Sequence, residues 1–200
     1  MHLLLPYFII LIVLIQLKLR KNSKKNAESD KNYLQRESEA NNVRKKSIDN
    51  LDYIIIPEHM MFDDVSCLDT EFTNLTKVIN DLRSKKILNL TGYTNTDLKL
   101  EYGAGNLATL TEYDDNYASL ARTIVAMGKL LIDKNYTDAA VELLELGIAS
   151  KTDISANYTL LADYYREINH LERINHLIDV AGELKSLNRN VILNKLKTYA

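Results

Sequence analysis

The side chains in this chain best suited to chemistry are its 4 His, its single Cys and several clustered carboxylates. His59 with Asp63 and Asp64 has the donor types of a divalent-metal site. These three flank an arm broken by Pro57, where such residues are ordinarily surface groups, so no metal is assigned to them. His170 and His176 stand six apart, which puts them on different faces of a helix. Glu101, Glu112, Asp114 and Asp115 form an acidic patch without a base or nucleophile at a workable spacing. Cys67 falls at an expected helix start, where a thiol pKa can drop, yet no His is near it in sequence. The run Gly103-Ala104-Gly105-Asn106-Leu107-Ala108 spells G-x-G-x-x-A. A dinucleotide loop needs a preceding strand and alternating βαβ units, whereas helical periodicity surrounds this one. It reads as a turn between helices. The sequence thus predicts no catalytic residue, no metal, no cofactor and a protein that is not an enzyme.

Composition narrows the elements that could position a binding site. Only 6 Gly and 2 Pro in 200 residues suit long helices with short connections. A formal charge of -2 offers no electrostatic case for nucleic acid. One cysteine excludes an internal disulfide and any zinc site built on several thiolates. The wealth of Asn, Lys, Ile and Tyr, with no Trp, points to an AT-rich bacterial genome.

Residues Leu3 to Leu17 are almost wholly apolar, and counted to Leu19 the stretch is at the short end of what crosses a hydrocarbon core of roughly 30 Å. A cleaved signal peptide would want positive charge before this run and small residues after it, and neither is present. The run is therefore expected to be a retained transmembrane anchor, residues 1–19. Lys18 near its end and Arg20, Lys21, Lys24 and Lys25 just beyond it give the excess that cytoplasmic flanks carry. The expectation is a single-pass protein of the cell membrane, N-terminus out, with its soluble part in the cytoplasm. Residues 20–50 are polar and read as a basic, flexible linker with at most fleeting helix.

Residues 51–115 read as an N-terminal helical segment with an extended arm. Leu51 to Phe62 is β-branched and carries Pro57, which makes it an arm or edge piece. Leu68, Phe72, Leu75, Ile79 and Leu82 recur at spacings of four and three, which predicts a helix from about Ser66 to Leu88. Thr96 is placed to cap a short helix that follows.

From Tyr117 the chain aligns with itself at an offset of 34. Ile124, Met127, Gly128, Leu131, Asn135, Ala140, Leu144 and Gly147 fall on Tyr158, Leu161, Ala162, Tyr165, Asn169, Ile174, Ile178 and Ala181. Small residues where two helices cross let backbones approach, and bulky ones fill the gaps beside them. This pattern resembles the tetratricopeptide repeat, whose period equals that offset. The departures are Tyr136 one place early, Leu171 for an aromatic, Thr152 for a proline and Ile174 for a small residue. Plain antiparallel helices with a coincidental period are the competing reading.

The resemblance implies an all-α fold, a short α-solenoid behind the anchor and linker. Residues 116–200 would hold two repeats and a C-terminal capping helix containing Ile192, Leu196 and Tyr199. It also implies a protein partner on a groove formed by the first helix of each hairpin. The outward positions there are Arg122, Val125, Lys129 and Ile132, then Ala156, Thr159, Asp163 and Arg166, then Asn190, Leu193 and Lys197. The charged members, Arg122, Lys129, Asp163, Arg166 and Lys197, are the candidate partner-binding residues. Val125 and Thr159 replace residues of the family's carboxylate clamp, so chaperone tails are not expected ligands. The alternative is a structural membrane protein that self-associates.

Overall fold

The computed structural model describes residues 16, 18, 30–60 and 70–199. The expected anchor lies outside the described residues apart from Gln16 and Lys18, as do Cys67, Asp63, Asp64 and the start signal at Ser66. Among the described residues the chain is all-helical and forms no strand. Nor, among them, is any helix long and apolar enough to cross a membrane. The helices are α1 (30–41), α2 (Thr70–Arg83), α3 (Asn95–Tyr102), α4 (Leu107–Asp133) and α5 (Thr137–Ala149). They continue with α6 (Ser155–Glu167), α7 (Leu171–Glu183) and α8 (Arg189–Leu196). Residues up to Ser47 with Thr94–Leu107 make one compact unit, and Ile48–Tyr93 with the chain from Ala108 make another.

In the first unit, α1 occupies part of the region expected to be a mobile linker. It leaves Tyr33 and Leu34 exposed among its polar residues, and its order comes from partners far along the chain. Arg36 pairs with Asp97 at 2.6 Å, Glu37 pairs with Lys99, and the Thr96 hydroxyl donates to Glu37 at 2.6 Å. Thr96 is therefore not the cap. Thr94 is, in a capping box with Asp97 that satisfies donors at both ends of the first turn. Gly103 follows α3 with φ 89°, and a β-carbon there would collide with the Arg44 carbonyl. Chain crossing and positive φ both demand glycine, so this run serves as a turn, with a 3-10 segment at Ala104–Asn106.

In the second unit, Phe72, Ile79 and Leu82 of α2 are buried, as their spacing predicts. The helix ends at Arg83 and not near Leu88. Ile87 and Leu88 remain buried, but the Ile54 N–H donates to the Ile87 carbonyl at 2.9 Å, which holds residues 84–88 out of the helix. Arg83 closes α2 by donating to the carbonyls of Pro57 at 2.7 Å and Met60 at 2.5 Å. That fixes the arm through its backbone, so Ile56 and Met60 enter the core.

The last five helices carry the internal period into geometry. Ile124, Met127 and Leu131 are buried, as are Tyr158, Leu161 and Tyr165 at the equivalent positions of the second copy. Asn135 and Asn169 both adopt the left-handed conformation, at φ 66° and 55°. Immediately after them, the Tyr136 and His170 N–H groups donate to the Leu131 and Tyr165 carbonyls, each at 2.8 Å. Both helices thus end in the same turn, with asparagine at a position that most side chains avoid. Gly128 of α4 faces Leu144 of α5 closely enough that a β-carbon would lie 2.8 Å from Leu144 Cδ2. Beyond this crossing, α5 packs on α6, α6 on α7 and α8, and α7 on α8. A polar cluster spans three of them: the Tyr165 hydroxyl and Arg173 both donate to Glu145, and burial pushes the phenol up to about 12.

Candidate partner-binding groove

Two helices, α6 and α8, set the walls of an open groove. On α6, Tyr158, Leu161, Ala162 and Tyr165 face the core, which turns Thr159 and Asp163 to its flank. On α8, Ile192 and Leu196 stand one turn apart and are fully buried, which leaves Val191, Asn194, Lys195 and Thr198 on the flank toward α6. With Tyr199 at one end, these side chains line a groove of about 640 Å³.

The groove's electrostatics divide into committed and uncommitted groups. Asp163 is committed: Arg166 reaches it at 3.1 Å. Burial, with this carboxylate beside it, raises the Tyr199 phenol above its ordinary value. The Arg166 guanidinium also lies 4.8 Å from the centre of the Tyr199 ring, a cation–π contact. Thr198 spends its hydroxyl proton on the Lys195 carbonyl at 2.7 Å. The Lys195 ammonium, by contrast, has no ion-pair partner among the described residues. Val191 leaves 52% of its surface exposed beside it. The groove therefore offers an uncommitted cation and an apolar contact, held between two rigid helices.

Of the expected binding residues, Asp163 lines the groove and Arg166 buttresses its end. Arg122 and Lys129 are exposed on α4, and Lys197 is exposed just beyond α8, outside the lining. Ile132 and Leu193, expected to point outward, pack against the core instead. Val191, Asn194 and Lys195 were not anticipated, although the spacing of Ile192 and Leu196 contained the signal. Once those two define the buried face, the flank follows from the helical repeat.

The other chemically suggestive residues are dispersed. His59 meets Glu142 at 2.8 Å on the surface. Asp114 accepts a hydrogen bond from the Leu90 N–H at 3.0 Å, and burial raises its carboxyl pKa. His170 and His176 are exposed. Among the described residues no three His, Cys, Asp or Glu side chains converge as a metal site would require.

Compared with protein-family models, curated proteins and solved structures, the chain gives no match.

Proposed function

We propose that this protein is a membrane-tethered adaptor of tetratricopeptide type, a short α-solenoid that holds a protein partner at the cytoplasmic face of the membrane. The observation that carries the binding role is the α6/α8 groove, with Lys195 uncommitted and Val191 exposed between walls fixed by the core. The repeat reading draws support from two turns, one in each copy, that share left-handed asparagines and the same closing hydrogen bond. The tether rests on the apolar run Leu3–Leu19 and the Lys and Arg residues that follow it.

The test is co-purification from gently solubilised native membranes, using the full chain, a Val191→Asp, Lys195→Glu variant and a Lys77→Glu control. Lys77 is exposed on α2 and lines no part of the groove, so its reversal should leave binding intact. One stoichiometric partner should accompany the wild type and the control, and fall at least about tenfold in the groove variant. Equal recovery of that partner with all three would overturn the groove assignment. Recovery of the bait with no other protein would favour self-association.

A further inference from the structure

A second cavity, of about 240 Å³, shares no lining residue with the α6/α8 groove. Its walls are the arm at Asp52 and Ile54, the segment following Ile87, and the chain where it leaves α5 and α7. The segment is pinned at successive residues. The Leu88 N–H donates to the Tyr113 carbonyl at 3.2 Å, and the Leu90 N–H to Asp114. Between them, Asn89 donates to the carbonyls of Ser150 at 3.0 Å and Lys151 at 3.3 Å, and accepts from the Thr91 N–H. Gly92, at φ 93°, comes so near the next loop that a β-carbon would lie 2.9 Å from Lys185 Cβ. The same approach sets the Tyr93 ring 5.4 Å from the Lys185 ammonium. The cavity is thus built before any ligand arrives, which lowers the ordering cost of binding.

Four charged side chains line it. Lys151 and Glu183 pair with one another at 3.2 Å. Asp52 and Lys185 have no ion-pair partner among the described residues, and do not pair with each other across the cavity. Ile54, Leu88 and Leu184 supply the apolar surface between these opposite charges. Sites for drug-sized ligands run to roughly 300–1,000 Å³, so the space suits something smaller.

We infer that this cavity binds a small zwitterion with an aliphatic side chain, of the α-amino acid class. Its ammonium goes to Asp52, its carboxylate to Lys185 and its side chain to Ile54, Leu88 and Leu184. A ligand carrying one charge would leave the opposite wall group without a counter-ion.

Calorimetry on the full chain in mild detergent compares L-leucine with 3-methylbutylamine, which lacks the carboxylate, and with 4-methylpentanoate, which lacks the ammonium. Leucine should bind at least about tenfold more tightly than either, since each analogue forfeits one charge-assisted contact. Asp52→Asn should weaken leucine about tenfold and leave 4-methylpentanoate within about twofold; Lys185→Gln should weaken leucine equally and spare 3-methylbutylamine. Unchanged far-ultraviolet dichroism in both variants separates loss of binding from loss of fold. Equal affinity for the three compounds would overturn the inference. So would leucine binding that neither substitution changes, or the failure of every L-amino acid to raise the melting temperature at millimolar concentration.

Discussion

Near the end of α5, a β-carbon on Gly147 would lie 2.5 Å from Asn157 Oδ1 and 2.9 Å from its Cγ. Asn157 is fully buried and donates to the Leu144 carbonyl at 2.9 Å, so its amide cannot withdraw without breaking that bond. Gly147→Ala should therefore cost about 1–3 kcal/mol for an unsatisfied buried group. Overpacking adds about 1–3 kcal/mol. Alanine's helix propensity returns about 1 kcal/mol. The net expectation is destabilisation by about 3 kcal/mol, which for a chain of this size lowers the melting temperature by roughly 6–12 °C. Gly182 provides the opposite case within α7. Nothing lies within 4 Å of a β-carbon there, so Gly182→Ala should stabilise by on the order of 0.5 kcal/mol. Urea titrations followed by far-ultraviolet dichroism measure both. Adding Asn157→Ala to Gly147→Ala should recover about 1–2 kcal/mol relative to the sum of the single changes, because the clash disappears. A Gly147→Ala protein as stable as wild type, or zero coupling to Asn157, would refute the close-crossing argument.

Two further outcomes follow from the arm and from α1. Arg83→Met keeps the length of the side chain but removes the charge-assisted bonds to Pro57 and Met60, so the arm should loosen by about 2 kcal/mol; proteolysis or hydrogen exchange confined to residues 54–60 would detect it, and unchanged protection would contradict it. In the first unit, the Lys99 and Thr96 hydrogen bonds hold Glu37 below its ordinary pKa, and Thr94 with Arg36 does the same for Asp97. The folded form then binds protons less readily than the unfolded one. Its contribution is complete above the ordinary carboxylate range near about pH 4, and is lost as pH falls through the lowered values. Acidification below that range should release α1 from α3, seen as new backbone chemical shifts over 30–41. The same transition in a Glu37→Gln, Asp97→Asn protein would rule this account out.

The helices of the C-terminal half were legible because helical burial writes itself into sequence at spacings of three and four. Ile124, Met127 and Leu131 on α4 are buried together with their equivalents Tyr158, Leu161 and Tyr165 on α6. The asparagines at 135 and 169 were visible as a matched pair, though their left-handed conformation was not. Two elements were misread for one reason: apolar or polar character shows whether a residue is buried, not which backbone conformation buries it. Ile87 and Leu88 continued the apolar pattern of α2, yet they are buried in a non-helical segment bonded to the arm. Residues 30–41 looked too polar to order, since the charges that hold them are supplied by Asp97 and Lys99, far along the chain.

The candidate sites divide along the same line. By itself the sequence determined the helical class, the apolar N-terminal run, the hairpin period and the placement of Asp163 and Arg166 on the flank of one helix. All of these depend on local spacing. Only the tertiary structure decided that Val191 and Lys195 share a groove with Asp163, or that Asp52 and Lys185 line one cavity with no ion pair among the described residues. Those juxtapositions join residues from separate helices and loops, distant in the chain. They depend on how helices rotate to bury Ile192 and Leu196, and on where the glycines at 92 and 128 let backbones approach. Packing sets such angles through the combined shape of many side chains, and no single periodicity records them.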